Sequence, residues 1–213
     1  MLIIFDLDGT LLNTIKDLSN AVNHALKARG WPLRTEQECL QFVGNGISKL
    51  LERSLPYDHQ TPAEVTVLRP IFVSYYNAHL TDYTTPYPGI KKTLYALQAR
   101  GEKLAVLSNK YQEATEKIVS HFFPQISFAA VLGQQEGVPT KPNPTAVEKI
   151  LRLANMPKEE CVYVGDSDVD MQTARNAGVS ACAVIWGFRS RKTLAAFAPK
   201  YIIERPEELI QIS

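Results

Sequence analysis

From about residue 86 onward, short continuous apolar runs alternate with longer segments whose apolar residues recur every three or four positions. The runs KLAVLS (103–108), FAAVLG (128–133), CVYVG (161–165) and ACAVIW (181–186) predict buried strands, and LIIF before Asp6 predicts another. The intervening segments GIKKTLYALQARG, YQEATEKIVSHF, NPTAVEKILRLA and DVDMQTARNAG predict helices, with Gly101 and Gly178 placed as C-terminal stops. Strands that are apolar throughout have no solvent face. Alternating with helices, they predict an α/β architecture, a parallel sheet covered on both sides.

Residues 14–85 follow a different pattern. Ile15, Leu18, Val22 and Leu26 recur at helical spacing, and Gly30 ends that segment. Thr35 with Glu38, and Thr61 with Glu64, match the capping box, and Pro62 stands at a first helical position. Pro70 inside the last pattern predicts a kink or break. No strand is predicted here. The expected organisation is a core domain of residues 1–13 and 86–213, with a helical domain of residues 14–85 inserted after the first strand. TTPYPG (84–89), rich in turn formers, is the expected return linker.

The formal net charge of +1 across 213 residues gives no global field suited to nucleic acid or an anionic membrane. No apolar run approaches the ~18 residues that would span a bilayer, and no signal peptide is expected. Three dispersed cysteines, Cys39, Cys161 and Cys182, show no metal-type spacing and predict reduced thiols in a cytoplasmic protein.

Four polar stations interrupt the α/β part: DLDGT (6–10), SNK (108–110), TKPNP (140–144) and GDSDVD (165–170). Three follow predicted strands, and ligands of open parallel sheets bind beyond the carboxyl ends of the strands. If strand geometry persists, Asp6 and Asp8 point to one side. Two carboxylates together need a cation or a proton, and Asp166 offers a third. Oxygen ligands without histidine or cysteine favour a hard cation, with Mg²⁺ the natural candidate. Asp168 reads as a helix N-cap.

FDLDGTLLNT, LSNK, TKPNP and VGDSDVD, in this order and spacing, resemble the four motifs of the haloacid dehalogenase superfamily, and the resemblance covers essentially the whole chain. FVGNGISKLL, PYPG and VGDS make it most similar to the phosphoglycolate phosphatase-like group. The resemblance implies a Rossmann-like core with an α-helical cap, and a Mg²⁺-dependent phosphatase of small phosphorylated metabolites. In that scheme Asp6 is the nucleophile, forming an aspartyl-phosphate, and Asp8 the general acid and base. Ser108 and Lys141 complete the catalytic set. The metal falls to Asp6, the Asp8 backbone carbonyl and Asp166, with Asp170 a partner for Lys141 or the metal. Thr10, Asn109 and Lys110 are candidate substrate contacts in the core, and Gly44, Gly46 and Lys49 in the cap. A monomer or homodimer is expected.

One departure is Asn13–Thr14, where many relatives carry Asp-Ser; it is expected to touch the hinge rather than the chemistry. A pyrophosphatase and a β-phosphoglucomutase-like phosphotransferase share the first half-reaction, although Gly165 stands where such mutases usually carry glutamate. A non-catalytic phosphometabolite sensor is the alternative outside enzymes.

Overall fold

The computed structural model describes residues 1–212. The chain opens as β1 (Leu2–Phe5) and the short β2 (Leu12–Asn13). It then forms α1 (Ile15–Ala28), α2 (Glu36–Phe42), α3 (Gly46–Ser54) and α4 (Pro62–Ala78), and returns through β3 (Thr85–Pro86). It continues as α5 (Ile90–Ala99), β4 (Lys103–Tyr111), α6 (Gln112–Phe122), β5 (Phe128–Gln134), α7 (Thr145–Ala154) and β6 (Cys161–Gly165). Last come α8 (Asp168–Ala177), β7 (Ser180–Val184), α9 (Arg191–Ala195), β8 (Tyr201–Ile203) and α10 (Leu209–Ile212). Contacts divide it into two compact units, Met1–Asn13 with Pro86–Ser213, and Thr14–Thr85.

In the first unit, strands in the order β5-β4-β1-β6-β7-β8 form one sheet. Every neighbouring pair is parallel. β1 lies inside, paired with β4 on one side and β6 on the other, so all four of its residues are buried. Leu2 and Ile4 point to one face, where they meet Ala105, Leu107, Cys161 and Tyr163. That face is covered by Val147, Ile150 and Leu151 of α7 and by Ala174 and Ala177 of α8. The chain runs outward from β1 through β4 to β5, then crosses back to β6 and runs outward the other way. That reversal beside β1 is where parallel sheets open a crevice at their carboxyl ends.

The second unit is helical. α1 buries Ile15, Leu18, Val22 and Leu26, and packs against α4. The Thr35–Glu38 capping box forms in both directions. At Thr61 only half of the expected box is present: its hydroxyl accepts the Glu64 N–H. In place of the other half, the Thr61 N–H bonds the His59 carbonyl at 2.8 Å, and Glu64 faces Arg29 at 3.8 Å. Pro70 does not break its helix, which is assigned continuously over Pro62–Ala78. The buried neighbours Leu68, Phe72 and Tyr76 hold that segment in place, so packing outweighs the lost backbone bond. Buried Asp17 accepts the Tyr83 N–H, the Thr84 N–H and the Thr84 hydroxyl, tying the end of this unit to its first helix.

All three cysteines are buried and unbridged. Among the described residues, no helix is long and apolar enough to cross a membrane. The strand β8 had no sequence expectation. ACAVIW was expected to run to Trp186, but β7 ends at Val184, and residues 185–189 turn back toward the carboxyl end of the sheet.

Candidate active site

The apolar run of β1 delivers Asp6 to the carboxyl end of the sheet. The strand stops at Phe5, yet the Asp6 N–H still bonds the Val164 carbonyl at 2.9 Å, so its backbone is held in register. Beyond Asp6 the chain turns, with Gly9 at φ 87°. Glycine is required there twice over: for that dihedral, and because a Cβ would stand 2.4 Å from Asp166 Oδ2. The two aspartates of this motif take different partners. Each then meets its own lysine: Lys141 Nζ lies 2.8 Å from Asp6 Oδ1, and Lys110 Nζ lies 3.1 Å from Asp8 Oδ1.

Lys141 comes from the loop before α7 and is buried. Its main chain is clasped by Asn109, which accepts the Lys141 N–H at 2.9 Å and donates to the Lys141 carbonyl at 3.2 Å. Its ammonium bridges Asp6 and Asp170 Oδ1, the latter at 2.7 Å, and sits 5.6 Å from the Tyr163 ring centroid. The Tyr163 hydroxyl lies 3.3 Å from both Asp170 Oδ1 and the Leu107 carbonyl.

Asp170 is fixed by the start of α8. Its Oδ2 accepts the Ser167 hydroxyl at 2.6 Å and the Ser167 N–H at 3.1 Å, while Ser167 Oγ accepts the Asp170 N–H at 3.2 Å. The N-cap is therefore Ser167, not Asp168, which is the first helical residue and faces Arg189 at 3.8 Å. Serine with aspartate three residues on gives the reciprocal bonds that Asp168 could not. Gly165 lets this turn close on the strand, since a Cβ there would fall 2.3 Å from Asp170 Cβ.

Asp166 has a donor on each oxygen. Oδ1 accepts the Thr10 hydroxyl at 3.0 Å, and Oδ2 accepts the Phe188 N–H at 2.7 Å. Asp6, Asp166 and Asp170 each offer one carboxylate oxygen, all within 4.8 Å of one another. Three buried carboxylates beside one ammonium leave an excess of negative charge. Burial, with Asp170 adding to it, raises the Asp166 pKa to about 7. Burial and then Asp170 also push Asp6 well above the usual carboxylate range, against the pull of Lys141. Burial works against the charge on Lys141, but Asp170 and Asp6 outweigh it and raise its pKa. An all-oxygen site short of positive charge suits a hard divalent cation.

The structure thus brings Asp6, Asp8, Ser108, Lys141, Asp166 and Asp170 to one end of the core sheet. It adds partners to several of the expected residues. SNK is the end of β4 itself, not a loop beyond it. Thr10 and Asn109, candidate substrate contacts, also bond Asp166 and the Lys141 main chain. Lys110, another such candidate, pairs with Asp8, while its N–H donates to Ser108 Oγ at 3.1 Å. The Asp8 carboxylate stands outside the acidic cluster. Gly44, Gly46 and Lys49 lie in the helical unit; Gly46 opens α3, and Lys49 pairs with Glu52 at 2.7 Å on an exposed face. Tyr163, Ser167, Trp186, Gly187 and Phe188 carried no expectation of a role here. Only Ser167 had a readable signal, the S-x-x-D pattern within SDVD.

Comparison with known proteins points the same way. The family described as haloacid dehalogenase-like hydrolase matches residues 3–184. A phosphoglycolate phosphatase of Aquifex aeolicus (strain VF5) is 33% identical over 210 residues, covering 99% of this chain and 95% of the relative. One from Mesorhizobium japonicum is 31% identical over 98% of this chain and 92% of its own. The crystal structure of a "predicted phosphoglycolate phosphatase" from Haemophilus somnus 129Pt superposes with TM-score 0.91 at 30% identity. It covers 99% of this chain and 96% of that one.

Proposed function

Since the chain belongs to the haloacid dehalogenase-like hydrolase family, we propose that it is a Mg²⁺-dependent phosphatase of small phosphorylated metabolites, with 2-phosphoglycolate the first substrate to test. The observation that carries this reading is the division of the two aspartates at the end of β1. Asp6 is buried against Lys141 at 2.8 Å, while Asp8, less buried, faces Lys110 at 3.1 Å.

A carboxylate oxygen of Asp6 attacks phosphorus as the ester P–O bond breaks, and Asp8 protonates the departing alkoxide. Asp8 then takes a proton from the water that attacks the aspartyl-phosphate, regenerating Asp6 and releasing phosphate. Lys141 holds Asp6 in line and offsets charge on the transferring group, and the Ser108 hydroxyl serves a phosphoryl oxygen. Asp170, fixed by Ser167, keeps Lys141 in place. Asp6, the Asp8 backbone carbonyl and Asp166 would hold Mg²⁺, which when bound neutralises charge between an anionic nucleophile and an anionic phosphate. Two unit charges ~4 Å apart repel by about 4 kcal/mol at an effective dielectric of 20, so this neutralisation is a large share of the task.

We assign the choice of substrate to the helical unit acting as a cap, with Gly44, Gly46 and Lys49 its candidate residues and Asn13 at the hinge. We place the protein in the cytoplasm as a monomer or homodimer. A panel of phosphate monoesters assayed with and without Mg²⁺ tests the reading. Metal-dependent release of phosphate, greatest for 2-phosphoglycolate, is expected; no turnover of any ester would overturn it. Exchanging segment 42–51 for that of a relative with another substrate should change the profile, and an unchanged profile would remove the cap from the account.

A further inference from the structure

The segment leaving β7, residues 185–189 (IWGFR), belongs to none of the four motifs, yet it reaches two of them at three consecutive residues. The Trp186 indole N–H donates to the Thr10 carbonyl at 3.0 Å. Gly187 lies close against Asp166: a Cβ there would stand 2.3 Å from Asp166 Cβ and 2.4 Å from the Gly9 carbonyl oxygen. The Phe188 N–H donates to Asp166 Oδ2 at 2.7 Å. The Thr10 hydroxyl holds the other oxygen, Oδ1, at 3.0 Å. The segment therefore grips both ends of the Thr10–Asp166 link.

This arrangement determines orientation. One donor on each oxygen fixes the plane of the Asp166 carboxylate, and each oxygen keeps a further lone pair for a ligand. Glycine at 187 is what lets the main chain come close enough for the Phe188 bond. Any larger residue must push Asp166 or the Gly9 turn aside, because the neighbours it would strike include backbone. The indole bond at Trp186 anchors the segment to Thr10, so that Asp166 and its hydroxyl donor move together or not at all.

We propose that Trp186, Gly187 and Phe188 are a positioning element for Asp166, holding its carboxylate in the orientation that accepts a divalent cation; this rests on the Mg²⁺ reading above. Groups that orient a metal ligand without touching the metal commonly change metal affinity by 10–100-fold when lost. Gly187→Ala should therefore weaken Mg²⁺ binding by about 10–100-fold. Trp186→Phe keeps the ring and removes one neutral hydrogen bond, so a loss of about 3–10-fold is expected.

The test is calorimetric titration of Mg²⁺ into substrate-free wild type, Gly187→Ala and Trp186→Phe. It is paired with turnover of a phosphate ester measured against Mg²⁺ at saturating substrate, and against substrate at saturating Mg²⁺. Positioning predicts a raised Mg²⁺ Kd, kcat recovered at high Mg²⁺, and a substrate KM within about two-fold of wild type. Far-UV circular dichroism and metal-free thermal unfolding identify a variant that has lost its fold. Should Gly187→Ala do so, Trp186→Phe carries the test. Folded variants with a wild-type Mg²⁺ Kd would overturn the inference while leaving the proposed function intact. A wild type with neither saturable Mg²⁺ binding nor metal-dependent turnover would overturn the metal reading itself.

Discussion

Replacing Lys141 with methionine probes the charge balance of the site most sharply. The ammonium lies 2.8 Å from Asp6 and 2.7 Å from Asp170, and only 3% of its side chain is exposed. At an effective dielectric of 20, each contact is a gross attraction of about 6 kcal/mol, most of which offsets the cost of burying the three charges. Methionine keeps an unbranched chain one atom shorter and removes the charge, leaving two carboxylates facing each other without compensation. Breaking a buried pair from one side costs about 3–5 kcal/mol, and that loss is expected at pH 8 with metal chelated. The loss should shrink toward pH 5, because Asp6 already sits above the usual carboxylate range through burial and Asp170, and loses the lowering effect of Lys141 in the variant. An acid whose folded pKa is raised contributes stability that is fully present below its unfolded pKa, near 3.8. That contribution is lost as pH rises through the folded pKa. Urea unfolding followed by far-UV circular dichroism at pH 5 and pH 8 measures both limits. A loss below ~1 kcal/mol at pH 8, or equal losses at the two pH values, would refute the reasoning.

Three further predictions follow from the same geometry. Asp8→Asn should lower kcat by about 10²–10⁴ while leaving Mg²⁺ binding near wild type, measured by turnover and calorimetry; a variant with full activity would show that Asp8 moves no proton. The metal-free protein should lose stability as pH rises from about 4 to 7, since burial and Asp170 raise Asp166 to about 7, and added Mg²⁺ should flatten that fall. Urea midpoints with EDTA and with Mg²⁺ report it, and a metal-free midpoint that rises over this range would contradict it. Ser167→Ala removes both the cap of α8 and a 2.6 Å bond to Asp170, so it should cost about 1–2 kcal/mol and lower kcat without changing Mg²⁺ affinity. Thermal unfolding and turnover check the pair of effects, and a wild-type kcat would detach Ser167 from the chemistry.

Much of this was legible because it is written in local pattern. LIIF and CVYVG are apolar throughout and read as interior strands, so Asp6 and Asp166 at their ends could converge beyond the sheet, as the pairing of β1 with β6 allows. The capping box at Thr35 is a four-residue signal, and it formed as read. What the sequence hid depends on partners remote along the chain. A period of two aligns Asp6 with Asp8, but nothing local shows the lysines that receive them, Lys141 and Lys110, more than a hundred residues further along the chain. Asn109 reads from the sequence only as a candidate substrate contact, and its clasp of the Lys141 main chain is invisible until the fold brings the two together. Pro70 signals a break that the packing of Phe72 and Tyr76 overrules. WGF carries no catalytic side chain; its contribution is an indole bond, a backbone N–H and the absence of a Cβ beside Asp166, which only coordinates reveal.

The proposed mechanism turns on Asp6 as the nucleophile. Rapid quenching of wild type mixed with Mg²⁺ and phosphoryl-labelled 2-phosphoglycolate, followed by peptide mapping, tests it directly. Label on the peptide containing Asp6, formed and lost at rates consistent with turnover and absent from Asp6→Asn, is the predicted result. Undiminished phosphate release by Asp6→Asn, or wild-type turnover whose label maps to another residue, would contradict it.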